Sequence, residues 1–219
     1  MNFLLTILSL ALANNNCPMV TTQENFNLTE YIRDRWYIQQ QQITSYLPLE
    51  ENYCVTARYN ISDKKILGYH GTVLNVYNYA NLHKVNGENA NKNNQVLCAR
   101  VPDSKNPSKL LVAPCFLPNV FAGDYWVIAA GPSSNNYEWA IVSGGQPTVQ
   151  YKDGCTTKTT GSNGAGFWYF RGSSWIFWSC RSLVFAHSPF YFHQCNKNEF
   201  TVMVTEENLE NFFYQLKSS

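Results

Sequence analysis

Gln95-Val96-Leu97-Cys98-Ala99-Arg100-Val101, a break at Pro102-Asp103-Ser104-Lys105-Asn106-Pro107-Ser108, then Lys109-Leu110-Leu111-Val112-Ala113-Pro114-Cys115: this stretch decides the fold class. Two short runs that are too brief for helices flank a cluster of turn-forming residues, which is how neighbouring antiparallel strands are written. The unit recurs downstream, where Asp124 to Ala130 and Tyr137 to Ser143 are joined by Gly131-Pro132-Ser133-Ser134-Asn135-Asn136. Working outward, Trp36 to Ile43, Tyr53 to Tyr59, Gly71 to Tyr77 and Gly166 to Arg171 complete a set of eight strand candidates. The polar stretch Asn86 to Asn94 fits a solvated loop.

Sequential strands joined by short connections form a meander. A meander of eight can close on itself, removing both exposed edges and leaving an interior able to hold one small ligand. The expected fold is therefore all-β, an eight-stranded antiparallel up-and-down barrel over about 34–171. Beyond it, Thr205-Glu206-Glu207-Asn208 reads as a helix start with Leu209, Phe212, Phe213 and Leu216 at spacings of three and four, so a short C-terminal helix should close the chain.

Composition narrows the function classes. Sixteen Lys plus Arg face fifteen Asp plus Glu for a net charge of +1, with no basic stripe, so nucleic acid is not expected as a partner. Aromatic residues make up 15% of the chain, more than a core of this size requires, which fits rings lining a cavity or a groove and equally a Tyr-rich sheet surface, because aromatics favour strands.

Met1 to Ala13 carries an apolar run ending in Ala11-Leu12-Ala13, the pattern of a cleaved secretory signal, and leaves a domain over 14–219. No other run is long enough for a transmembrane helix, while peripheral membrane contact and the oligomeric state stay open. The expected location is secreted or in the secretory lumen. There, seven cysteines without a CxxC pair read as disulfides rather than a metal cluster, and an odd number leaves one thiol over. Asn27-Leu28-Thr29 and Asn60-Ile61-Ser62 make Asn27 and Asn60 candidate glycosylation sites.

Specific stretches then resemble one family. Cys17-Pro18, Gln23-Glu24-Asn25-Phe26-Asn27-Leu28, Tyr31-Ile32 and Arg35-Trp36-Tyr37 are similar, in order and spacing, to the opening segment of apolipoprotein D-type lipocalins. Asn52-Tyr53-Cys54-Val55-Thr56-Ala57-Arg58-Tyr59 resembles their second strand. Lys109 to Val112, Phe116-Leu117-Pro118 and Tyr125 to Ile128 resemble the middle strands, and Tyr137 to Val142 with Gly166 to Arg171 the last two. The sequence departs from the family at Asp34, where a Gly is usual, at Ala130-Gly131, which replaces a Thr-Asp pair, and over Trp175 to Cys195, which is aromatic where a helix is usual.

The resemblance implies several residue roles. Trp36 would close the barrel floor with Arg171 lying across its ring, a contact worth about 1 to 2 kcal/mol when desolvated. Cys17 would bond to Cys155, and Cys54 to Cys195. Cys98 and Cys115, on adjacent strands, are a further candidate pair. Comparison with the family, combined with period-two alternation, puts Val55, Ala57, Tyr59, Leu110, Val112, Phe167 and Tyr169 inside as ligand-binding residues, with tyrosine hydroxyls supplying polar contacts.

The implied function is an extracellular or lumenal carrier of a small hydrophobic ligand of the lipid, sterol, retinoid or carotenoid class, with no cofactor and no bound metal. His70, His83, His187 and His193 fall in no nucleophile or metal spacing, so an enzyme is not expected. Two alternatives remain. One is a lipocalin enzyme similar to violaxanthin de-epoxidase, disfavoured because Tyr53 stands where that enzyme has an acidic residue. The other is a protein-binding lipocalin that needs no ligand.

Overall fold

The computed structural model describes residues 17–151, 154–158, 166–172, 180–183 and 190–195, with side chains undescribed at 151, 167, 169, 171, 180–183 and 190–195. The signal-like segment 1–13 and the helix expected after Thr205 lie outside the described residues. Among the described residues there are twelve strands: β1 (Trp36–Gln42), β2 (Tyr53–Ile61), β3 (Val73–Asn81), β4 (Val96–Arg100), β5 (Lys109–Pro114), β6 (Gly123–Ser133), β7 (Asn136–Ser143), β8 (Val149–Tyr151), β9 (Gly154–Thr156), β10 (Phe167–Gly172), β11 (Cys180–Leu183) and β12 (Phe190–Cys195). One four-residue helix, α1 (Leu28–Tyr31), precedes them, started by Asn27, whose Oδ1 accepts from the Glu30 backbone N–H at 3.1 Å.

Strands β1 to β7 pair in sequence order, and β10 returns to pair with both β7 and β1. The eight therefore form a closed antiparallel ring, as the turn spacing predicts, and the expected boundaries of all eight agree with the observed ones to within a few residues. Closure runs from Trp36↔Gly172 to Gln41↔Trp168. Strands β8 and β9 make a separate small hairpin after β7. Among the described residues no helix is long and apolar enough to cross a membrane.

The aromatic segment Trp175 to Cys195, for which the sequence offers no periodicity, holds two strands of the tail. β11 and β12 form a hairpin that joins the main sheet on β1. This is possible because β1 and β2 pair only at Trp36↔Ala57 and Tyr37↔Thr56. β1 shifts register between Ile38 and Gln40, while β2 kinks between Tyr53 and Thr56, where Cys54 adopts a left-handed φ of 53°. Such irregularities bend a strand away from its neighbour. The mouthward edge of β1 thus lacks β2 as a partner, and β12 takes it at Gln40↔Phe192 and Gln42↔Phe190.

Two disulfides tie the described chain. Cys17 bonds to Cys155, holding the amino-terminal segment against the β8–β9 hairpin, and Cys98 bonds to Cys115 across the outer face of β4 and β5. Cys54 is also disulfide-bonded. The side chains of Cys180 and Cys195 lie outside the described residues.

The outer face carries a second small core of Ile66, Val73 and Cys98, with Tyr69 and Cys115 against it. Beside it Arg100 is fully buried, its guanidinium donating to the carbonyls of Cys98 (2.8 Å), Ala113 (3.3 Å), Pro114 (3.2 Å) and Leu117 (2.7 Å). Four carbonyl dipoles stand in for a counter-ion, and they include the start of the β5–β6 loop. That loop, at the barrel mouth, holds Phe116, Val120 and Phe121 out in solvent.

Candidate functional site: the barrel interior

The closed end is filled by rings. Trp36 is 3% exposed, its indole N–H donates to the Tyr31 carbonyl at 2.8 Å, and its ring packs on Tyr31 and Phe170 with centroids 5.1 and 6.1 Å away. Phe26 stacks on Tyr137 at 5.8 Å and meets Tyr31 at 5.1 Å. Aromatic pairs in such arrangements contribute about 0.5 to 1.5 kcal/mol each beyond their buried area. Here the floor is assembled from α1 and the segment before it as much as from the strands. Arg171 stands opposite Tyr37 in the ladder, and its side chain lies outside the described residues.

Above the floor the interior changes along each strand. Ala57, Ala99, Leu110, Val127 and Phe170 are buried, belonging to one continuous inner cluster. Two residues nearer the mouth on the same five strands stand Val55, Leu97, Val112, Tyr125 and Trp168, which pack on that cluster and are only half-buried. Side chains two apart on a strand share a face, so these five form a ring inside the barrel above the filled layer. Their incomplete burial leaves this layer less filled than the floor beneath it, and it is the candidate binding chamber.

Two polar features face this chamber. Across the β1–β10 ladder Gln41 pairs with Trp168 and so shares its face. The Gln41 amide N–H donates to Asn52 Oδ1 at 2.5 Å, both residues being 1% exposed, while Gln41 Oε1 and Asn52 Nδ2 have no partner among the described residues. On the opposite wall the Tyr125 hydroxyl sits 2.7 Å from the hydroxyls of both Tyr31 and Tyr59.

Burial is the main cause that raises the Tyr31, Tyr59 and Tyr125 pKa values; the neighbouring phenols raise Tyr125 further, Tyr59 raises Tyr31, and the hydrogen bond with Tyr125 partly offsets the rise at Tyr31 and Tyr59. All three are thus neutral hydrogen-bonding groups at neutral pH. Around the chamber Gln41, Asn52, Val55, Leu97, Val112, Tyr125 and Trp168 include no cation and no carboxylate. The arrangement can hold an apolar body and address a few polar atoms.

Of the residues singled out in the sequence, Val55, Ala57, Tyr59, Leu110 and Val112 all pack in the inner cluster. On β10 the described contributors are Trp168 and Phe170, whereas the side chains of Phe167 and Tyr169 lie outside the described residues. Asn60 is exposed on β2, while Asn27 is half-buried as the cap of α1. Sequence reasoning missed Tyr31, Tyr125, Gln41 and Asn52. For Tyr125 a signal existed, since it alternates with the apolar Val127. For Gln41 none did, because the register shift in β1 sets its face.

No family model matches the sequence, and no curated protein does. A solved structure that matches is described as "Crystal structure of major allergens, Per a 4 from cockroaches". It shares 12% identity over 72% of this chain and 76% of that chain, with a TM-score of 0.39.

Proposed function

We propose that the protein is a lipocalin that carries a small hydrophobic molecule in its barrel, in the extracellular space or the secretory lumen. The observation that carries this reading is the ring of half-buried Val55, Leu97, Val112, Tyr125 and Trp168 above a fully packed floor. A barrel with no cargo would gain stability by filling that layer with larger side chains at about 25 cal/mol per Å² of apolar surface removed from water. The two disulfides support the compartment, because such bonds persist where the surroundings are oxidising. Exposed Asn60 is the better placed of the two sequons to carry a glycan.

The protein binds its ligand without transforming it. In the rival de-epoxidase reading a proton donor would have to open an epoxide, and the position before Cys54 offers Tyr53 rather than a carboxylic acid. Titration of the folded protein with neutral apolar probes of different shape tests the proposal. Trp168 is in the chamber, so bound probe should quench tryptophan emission saturably. Absence of saturable quenching with every probe removes the carrier function, and turnover of an epoxy-carotenoid in the presence of a reductant would replace it with an enzymatic one.

A further inference from the structure

The three interior hydroxyls pose a counting problem. Tyr31, Tyr59 and Tyr125 bring three O–H protons, and the chain makes two bonds among them, Tyr31 to Tyr125 and Tyr59 to Tyr125, each 2.7 Å. No other described residue bonds to any of these hydroxyls, so one proton is left without an acceptor among the described residues. Tyr31 and Tyr59 are 1% and 3% exposed, on the floor, whereas Tyr125 belongs to the half-buried ring. When both floor hydroxyls donate to Tyr125, the spare proton is the one on Tyr125, the member of the trio that belongs to the half-buried ring. A buried donor left unsatisfied costs about 1 to 3 kcal/mol, which a ligand acceptor would recover.

Gln41 Oε1 and Asn52 Nδ2 are likewise buried without partners among the described residues, offering one acceptor and one donor. Every polar group that the described residues present to the chamber is thus uncharged. A carboxylate brought there would leave water without meeting a cation, which is strongly unfavourable, whereas a carbonyl or hydroxyl oxygen loses little hydration and gains the waiting donor.

Resting on the carrier reading, we propose that the chamber selects neutral apolar molecules bearing a carbonyl or hydroxyl oxygen, which accepts from the Tyr125 hydroxyl, and discriminates against the corresponding carboxylates. The closely matched retinoids provide a test on one carbon skeleton: retinaldehyde, retinol, retinoic acid and the hydrocarbon axerophthene, titrated into the folded full-length protein at neutral pH. The aldehyde and the alcohol should bind at least about tenfold more tightly than the acid. In Tyr125→Phe the aldehyde should weaken by about tenfold while the hydrocarbon is unchanged.

Retinoic acid binding as tightly as the aldehyde to the unmodified protein overturns the proposal, and that arm needs no variant to fold. So does a Tyr125→Phe protein, folded by circular dichroism, whose preference between aldehyde and hydrocarbon is unaltered. If the hydrocarbon binds in either case, the carrier reading survives without this selectivity. If no member of the series binds, both fall together.

Discussion

Raising the pH should unfold this protein through its interior tyrosines, and the steepness can be worked from the structure. Burial raises the folded-state pKa values of Tyr31, Tyr59 and Tyr125 above the ordinary value of 10.0 that the unfolded chain retains. Below that value both states keep their phenol protons, so this contribution to stability is fully present. Above it the unfolded chain releases protons that the folded barrel holds, and stability falls as pH rises. Each such group contributes a slope of up to about 1.4 kcal/mol per pH unit, so three give about 4 kcal/mol per unit. Against a typical total of about 5 to 15 kcal/mol, the barrel should be lost within roughly one to four units above the unfolded-state value. Guanidinium melts from about pH 8 to about pH 11, with phenolate absorbance recorded in parallel, measure this directly, and Tyr125→Phe should cut the slope by about a third. The reasoning is refuted if all fourteen tyrosines ionise near pH 10 while the near-ultraviolet circular dichroism of the barrel stays unchanged.

Two further outcomes concern the outer face. Replacing Arg100 by Met removes donors from four carbonyls and strands that of Leu117, so stability should drop by about 2 to 4 kcal/mol and the melting temperature by roughly 6 to 12 °C. A melting temperature unchanged within about a degree contradicts that role. Removing the Cys98–Cys115 bond as a double alanine variant opens a loop of sequence separation 17, which should cost about 3 kcal/mol in chemical denaturation. A difference indistinguishable from zero would show that the bond constrains nothing in the unfolded chain.

The strands were legible because each is short, alternating and bounded by turn residues, and because a meander places sequential strands side by side. Alternation likewise set the faces of β2 and β5, where Val55, Ala57, Tyr59, Leu110 and Val112 meet the inner cluster. It could not set the upper half of β1, since one extra residue between Ile38 and Gln40 turns Gln41, rather than Gln40, to the side of Trp168. Nor could it foresee β12, whose place depends on β2 bending away from β1. The tyrosine trio was hidden for another reason. Tyr31 comes from a four-residue helix and meets Tyr125 and Tyr59 only when the barrel has closed over it, across 94 residues in one case. Arg100 is buried against carbonyls of β4, β5 and the loop after β5, contacts that no local sequence pattern encodes.

The interior of the barrel is where the account is most exposed to contradiction. Protein secreted by a eukaryotic host, purified in its folded form and examined by native mass spectrometry followed by lipid extraction, should retain a neutral oxygen-bearing lipid at up to one molecule per chain. Tyr125→Phe should retain less of it. Protein that emerges with no bound molecule, and takes up none on incubation with a neutral lipid extract, would contradict the claim that this barrel is built to hold one.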